Sequence, residues 1–497
     1  MHIAVRPLPN IPQLLLTNDL GEVISIDMLS DDVLLAIFGF YVDEASNKAF
    51  SKKSLEEWQS LIHVCRRWRT IVFESPRRLN LRLCCTPKTR EGYMRRVWPA
   101  LPLVICGRDC QTGSMYDITC ILGHRDRVCQ IDLWKLSGSH WERILAAMQV
   151  PFPELTDLDL RLQDYDSQVS VPHSFLGGSA PRLRSLRFNR IPFPSLPTLL
   201  LSTIHLVTLR LYEIPQSGYI PSEVMVTTLS TLTCLRFLSL TFQFFLSGLN
   251  WESRHPPPST RPVLPILTFS FNGAKGYFEE MVARIDAPRI NELSIDFFNE
   301  IVFERPHFIQ FINRTPTLNT FKTARLLFLK GRAKVELISQ TPGSGVLSVN
   351  LSVNQLNWQV SSLKDVCASC LPLLSTLEDL YISEYEYSRL RRENVENTLW
   401  LGLLHLFASV KNLYLSEQVA KRIVPALQGL VRSRTTDVLP TLQNIFLEGL
   451  QPSGPIPEGI GKFVARRQVA SHPLAVSRWE NPFKGFSLGS HTGQPCA

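Results

Sequence analysis

Several features that usually betray a function class are missing from this chain of 497 residues. Its eleven cysteines are an odd number, scattered rather than spaced, so a secreted disulfide framework is excluded. The first twenty residues hold three prolines and only the short apolar run Leu14-Leu15-Leu16. A secretory leader is therefore not expected, and 1–21 is expected to be a disordered tail. Long apolar runs are also lacking. The uncharged stretch 337–363 is broken by Pro342, Gly343 and Gly345, and 191–209 by Pro192, Pro194 and Pro197. A membrane helix needs about 20 uninterrupted apolar residues, so no membrane association is expected. Prolines outnumber glycines, 34 to 25, without any collagen-like period.

Signatures of chemistry are equally scarce. No glycine-rich phosphate loop or nucleophile elbow occurs, and Gly343-Ser344-Gly345 has neither the spacing nor the strand-to-helix setting. A structural zinc site needs four ligands. Cys367 with Cys370, and Cys106 with Cys110, are isolated pairs, and His124 between Cys120 and Cys129 completes no set. We therefore expect a non-catalytic chain with no cofactor and no metal. Placed on buried helix faces, Cys367 and Cys370 would behave as small apolar residues.

What is present starts with a core. Hydrophobic residues make up 44% of the chain, too many for a disordered protein. The net charge of +8 is local. Between His63 and Arg96 lie Arg66, Arg67, Arg69, Arg77, Arg78, Arg82, Lys88, Arg90, Arg95 and Arg96, opposed only by Glu74 and Glu91. Everything outside that segment is balanced. A basic stretch serves as a phosphate-binding surface, a solvated helix face or a contact for an acidic partner. With no nucleic-acid module beside it, nucleic-acid binding is not expected.

Leu29-Ser30-Asp31-Asp32 reads as a helix start, with Ser30 as N-cap and the two aspartates complementing the helix dipole. Val33, Leu34, Ile37, Phe38 and Tyr41 follow at helical spacing. A second start, Ser54-Leu55-Glu56-Glu57, is a capping box. Leu55, Trp58, Ile62, Cys65, Trp68 and Val72 continue it until Ser75-Pro76 ends the run. Two short amphipathic helices bury too little to stand alone, so they must dock on another domain or another chain.

These residues carry a resemblance. Leu29-Ser30-x-Asp32-Val33-Leu34-x-x-Ile37-Phe38, followed by Val64-Cys65-Arg66-Arg67-Trp68-Arg69, resembles an F-box. Glu74-Ser75-Pro76-Arg77-Arg78-Leu79-Asn80-Leu81 is similar to the junction in the large F-box families of basidiomycete fungi. The likeness covers about residues 22–82. Ser30 stands where that family has proline, Asp32 where it has glutamate, and the spacer between the helices is long. The resemblance implies docking on the Skp-type adaptor of a cullin–RING ubiquitin ligase. By position, the contacts would be Leu29, Ser30, Val33, Leu34, Ile37, Phe38, Val64, Cys65 and Trp68. The other reading makes these the core of a helical cap on the repeats. Under the F-box reading, most of the arginines form a solvated face.

The remainder repeats a pattern, apolar-x-x-apolar-x-apolar, starting at Val128, Leu155, Leu183, Leu206, Leu235, Leu264, Ile290, Leu318, Val346, Leu377, Val410 and Leu442. Intervals run from 23 to 33 residues, and a proline sits two residues ahead of six units. Helix-like segments lie between, at Trp141 to Leu145, Tyr277 to Ile285, Leu399 to Ala408 and Val419 to Val431. One short strand and one helix per period near 28 residues is leucine-rich-repeat arithmetic. The array resembles the repeats found downstream of F-boxes. Gln163, Ile191, Ile214 and Gln243 occupy the place where that family has Asn or Cys, so irregular repeats are expected. Thr323 makes the Leu318 unit the poorest match. An ordinary α/β domain is the competing architecture.

The expected fold is therefore α/β, a short helical F-box module followed by an irregular leucine-rich-repeat solenoid, or horseshoe. Its parts would be 22–82, a junction and cap at 83–127, the array at 128–468, and a flexible tail at 469–497. Trp251 to Ser259, with three consecutive prolines, is expected to be a projecting loop. The expected function is a substrate receptor of a cytoplasmic or nuclear Skp–cullin–F-box ligase, recruiting an unknown protein substrate. The alternative is an interaction scaffold without a ligase. Substrate contacts would come from solvent-facing strand positions, Arg184, Arg187, Arg210, Tyr381 and Tyr414 first. Asp157, Asp159, Thr208, Glu292, Asp296 and Glu378 would follow.

Overall fold

The computed structural model describes residues 26–47, 57–75, 78–79, 81–86, 101–107, 115–163, 170–243, 260–297, 306–339, 345–369, 374–384, 395–430, 437–449 and 456–480. The chain divides into two compact units, Met1–Leu133 and Trp134–Ala497. The tail 1–21, Ser54 of the capping box and the loop at 251–259 lie outside the described residues.

In the first unit, helix α1 spans Asp31–Asn47. Its start follows the expected chemistry: the backbone N–H of Val33 donates to Ser30 Oγ at 3.4 Å. Asp31 and Asp32 fill the first turn, where negative charge offsets the exposed backbone dipoles. Leu34, Leu35, Phe38 and Val42 lie on one face and are buried. The continuous second helix expected through Val72 is instead two pieces, a 3-10 turn at Glu57–His63 and helix α2 at Arg66–Glu74. Cys65 makes the break. Its backbone is extended, and its sulfur accepts the N–H of Trp68 at 3.4 Å, so it caps a new helix. Phe38 packs against Trp68 with ring centroids 4.7 Å apart.

The arginines are not all a solvated face. Arg67 donates to Asp31 Oδ1 and to the Leu29 carbonyl, both at 2.6 Å. Arg69 donates to the Ile62 carbonyl at 3.0 Å. Arg67 thus ties the N-terminal end of α1 to α2, and Arg69 satisfies a carbonyl near the end of the 3-10 turn. Arg78 meets Asp32 at 2.9 Å in full solvent, a contact of little energetic weight. Arg77 and the basic residues from Lys88 to Arg96 lie outside the described residues. Strands β1 (Leu83–Cys85), β2 (Leu103–Gly107) and the start of β3 (Val128–Leu136) pair in parallel, with helix α3 (Met115–Leu122) between β2 and β3.

The second unit is mixed α/β and built on an open sheet. Its strands are β4 (Asp157–Leu162), β5 (Ser185–Asn189), β6 (Thr208–Ile214), β7 (Phe237–Phe242), β8 (Thr268–Gly273) and β9 (Glu292–Phe297). Then come β10 (Thr323–Leu329), β11 (Arg332–Ile338), β12 (Val346–Leu351), β13 (Asp379–Glu384), β14 (Asn412–Leu415), β15 (Asn444–Glu448) and β16 (Ala475–Trp479). Helices fill the connections. They are α4 (Gly138–Ala147), α5 (Leu196–Leu200), α6 (Ser222–Ser230), α7 (Lys275–Ala283) and α8 (Pro306–Asn313). The later ones are α9 (Leu356–Ser369), α10 (Asn397–Leu404), α11 (Glu417–Gln428) and α12 (Glu458–Val469).

Alternation along each strand sends one set of side chains inward and the other outward. In register, Leu158, Leu186, Leu209, Leu238, Phe269 and Leu293 form one buried row, and Leu160, Phe188, Leu211, Leu240, Phe271 and Ile295 another. Each such side chain contributes about 1.5–3 kcal/mol when fully buried. Where an Asn or Cys was missing after the strands, Arg190 and Glu213 adopt left-handed backbone conformations, and Arg190 Nε bonds Glu213 Oε2 at 2.7 Å. The same guanidinium reaches the Gln163 carbonyl at 3.2 Å.

Two features depart from a simple array. The sheet order from β9 runs β9-β12-β11-β10-β13, because β10 and β11 fold back on each other as an antiparallel hairpin. The turn is Lys330-Gly331, and Gly331 has φ 74°, a left-handed conformation that glycine adopts without strain. Thus the weak Leu318 unit heads a strand that pairs with β13, while β12 takes its place beside β9. The second departure lies at the C-terminus. The tail expected from 469 contains β16, which pairs in parallel with β15 up to Trp479.

Candidate functional site

Two surfaces concentrate the sequence-derived candidates, one in each unit. The first is the outer side of α1. Val33, Ile37, Phe40 and Tyr41 recur three and four residues apart, and all are exposed, Phe40 by 79%. Met28 just ahead of the helix is 75% exposed, and Val64 beyond the 3-10 turn is 59% exposed. The helix is thus apolar on two sides, one packed and one open. Solvated helices ordinarily carry polar residues on the open side.

The adaptor candidates separate along that division. Val33, Ile37 and Val64 are exposed, whereas Leu34 and Phe38 are fully buried. Those two hold α1 onto its own unit and cannot also be offered to another chain. Leu29, Cys65 and Trp68 are half-buried, and Ser30 is an exposed cap. Cys65 is engaged with the Trp68 N–H, and Trp68 with the Phe38 ring. Sequence reasoning missed Phe40 and Met28. Phe40 falls outside the motif positions, and only its exposure distinguishes it from a core phenylalanine.

The second surface is the outward face of the sheet in the second unit. One register row crosses it: Asp159, Arg187, Arg210, Ser239, Ser270, Ser294, Ser348, Glu336, Arg325, Tyr381, Tyr414 and Phe446. At one end Asp159 accepts from Arg161 at 2.7 Å and from Arg187 at 3.0 Å, and the Arg161 guanidinium lies 3.9 Å over the Trp134 ring. The middle is paved with serines. Among the described residues, the buried Asn189 Oδ1, Asn272 Oδ1 and Ser348 Oγ have no hydrogen-bond partner. Burial pushes the Asp296 carboxyl up from its ordinary value, against the pull of Arg332 and a Ser352 hydroxyl 3.5 Å away.

At the other end the row becomes aromatic. Tyr381 stacks on Tyr414 at 4.1 Å and 7°, and Tyr414 on Phe446 at 4.4 Å and 8°. The two phenol hydroxyls are hydrogen-bonded, and burial pushes both phenols up. Two residues earlier on the same strands, Asn444 Nδ2 donates to Asn412 Oδ1, and Asn412 Nδ2 to Asp379 Oδ1, each at 2.8 Å. Trp479 leans over the tyrosines, 5.7 Å from Tyr381 and 5.6 Å from Tyr414.

The structure brings Arg187, Arg210, Tyr381 and Tyr414 into that single row. Asp157, Thr208, Glu292 and Asp296 also lie on outward strand positions. Arg184 and Glu378 do not, since β5 begins at Ser185 and β13 at Asp379. Glu378 instead sits between Lys322 and Lys411. Phe446 and Trp479 were not foreseen, although the aromatic residue at the same place in three successive units was a readable signal.

Among the described residues no group of three or more His, Cys, Asp and Glu is placed to hold a metal ion. No helix among them is long and apolar enough to cross a membrane.

Comparison with known proteins adds little. No family model matches the chain, and no curated protein matches it. Among solved structures, similarity extends to the leucine-rich repeat-containing protein LegL7 from Legionella pneumophila. It has 11% identity over 77% of this chain and 97% of that one, at a TM-score of 0.26. That overlap is too loose to carry an argument, so the repeat architecture rests on this chain's own register of strands and its alternation of strand with helix.

Proposed function

We propose that the chain is a substrate receptor of a Skp–cullin–F-box ubiquitin ligase. The observation that carries this reading is the second apolar stripe of α1, Val33, Ile37, Phe40 and Tyr41, left open to solvent on the motif that resembles an F-box. An exposed apolar patch of this kind marks a docking surface. The first unit would hold the adaptor, and the outward sheet face of the second unit would hold a protein substrate. No bond-making group is then needed in this chain. Its role is to keep a substrate lysine at high effective concentration near a conjugating enzyme carried elsewhere in the complex. The row of arginines and stacked tyrosines suits a polypeptide, offering aromatic and guanidinium contacts.

Co-purification of the full chain with a Skp-type adaptor tests the proposal. Stable capture in a defined complex is expected. A chain that folds, yet fails to retain the adaptor at micromolar concentration, reduces the reading to an interaction scaffold without a ligase.

A further inference from the structure

We propose that the tyrosine ladder is a receptor for an aromatic side chain on an extended segment, and that the chain's own strand β16 occupies it as a displaceable stand-in. The inference deepens the receptor reading by naming a class of partner segment, and it does not require the adaptor.

Register starts the argument. Tyr381, Tyr414 and Phe446 sit opposite one another on β13, β14 and β15, so their rings pile into one stack facing outward. Trp479 belongs to β16, the last strand of the order, and its ring reaches back toward the two tyrosines. It meets them tilted, at 58° and 65°, the approach that aromatic rings favour beside an existing stack. The ladder thus already holds an aromatic side chain delivered by a strand.

That strand is poorly held otherwise. Along the sheet the two inward rows are apolar, reaching Ile445 and Leu447 on β15, both buried. On β16 the same two rows end in Val476, half-buried, and Arg478, exposed. None of its five residues is buried. Among the described residues, what holds β16 is its backbone ladder with β15 and the Trp479 ring. Elements with so little apolar burial open at low free energy, and an open sheet edge accepts another strand in the same geometry. A partner segment that pairs along β15 and places tryptophan or phenylalanine over Tyr381 and Tyr414 would exchange for β16. Opposite Asn444 the native strand has Ala475, so the site asks for a small residue at that place.

The test uses the full chain and a labelled peptide of its own residues 471–480, read by fluorescence anisotropy. The W479A variant, freed of its tethered competitor, should bind this peptide at least tenfold more tightly than wild type. The same peptide with alanine in place of its tryptophan should bind at least tenfold more weakly, and Y414A in the W479A background should lose that gain. Binding to W479A no tighter than to wild type, or equal binding of both peptides, overturns the proposal. Hydrogen exchange on the unmodified chain gives an independent readout. The amides of 476–479 should exchange at least tenfold faster than those of 445–447, and equal protection would show β16 to be a fixed part of the sheet. Adaptor capture is unaffected by either result, so failure here and failure of the ligase reading are distinguishable.

Discussion

The two faces of α1 make opposite demands on substitution, and this contrast is the sharpest check on the docking surface. Ile37 is 41% exposed and Phe40 79% exposed, so a partner covering them would bury roughly half of one side chain and most of the other. At about 1.5–3 kcal/mol for full burial, that is about 1 kcal/mol from Ile37 and about 2 kcal/mol from Phe40. Replacing both by aspartate loses this and adds the desolvation of two carboxylates. The I37D/F40D chain should therefore bind a Skp-type adaptor more than about 100-fold more weakly, at about 1.4 kcal/mol per tenfold. Its melting temperature should barely move, because surface changes ordinarily stay within about 0.5 kcal/mol. Phe38, fully buried against Trp68, behaves in the opposite way. F38A should lose about 3–5 kcal/mol, enough to unfold a small helical unit. Calorimetric titration with the adaptor and circular-dichroism melts read the two quantities separately. Adaptor binding by I37D/F40D within threefold of wild type would refute the reasoning, as would a melt as depressed as that of F38A.

Glu279 gives a pH prediction. Burial pushes its carboxyl up to about 7 even though the backbone N–H groups of His307 and Phe308 hold the ionised form. The folded chain then binds a proton that the unfolded chain releases between pH 4.5 and 7, so stability from this group falls as pH rises through that window. The fall is at most about 3 kcal/mol, and E279Q should flatten the profile of melting temperature between pH 5 and 8. A wild-type profile that rises over this window, unchanged in E279Q, would contradict the assignment. Arg467 is fully buried, with its guanidinium on the carbonyls of Val438, Leu439 and Pro440. R467M removes the guanidinium donor these carbonyls share and should lower stability by about 2–3 kcal/mol in urea titration. Gly331 turns the β10–β11 hairpin at positive φ, where an added Cβ would lie 2.9 Å from Asn354 Oδ1. G331V should cost about 1–3 kcal/mol, and a melt equal to wild type would show that this turn is not built as described.

Much of the second unit was legible because its signal is periodic. Leu155, Leu183, Leu206 and Leu235 each precede a strand whose alternation is visible residue by residue, and Arg187, Arg210, Tyr381 and Tyr414 were placed outward by parity alone. The β10–β11 hairpin was not legible. Arg332 to Ile338 alternates like any strand, but hydrophobic period says nothing about strand direction or neighbour, which depend on distant backbone pairing. The break at Cys65 was hidden for a related reason. Trp58, Ile62, Cys65 and Val72 keep helical spacing across it, and only the extended backbone of Cys65 reveals two elements.

By itself, the sequence determined the helix start at Ser30, the local excess of positive charge, the strand-and-helix alternation and the side of each strand that faces out. These follow from capping, charge and side-chain periodicity, which act over a few residues. Only the tertiary structure decided which of two equally apolar faces of α1 is packed, that Arg67 and Arg69 bind within their own unit, and that Trp479 lies over Tyr381 and Tyr414. Those outcomes depend on what else occupies the space around a side chain, and on contacts such as Arg67 with Asp31 that join residues 36 positions apart.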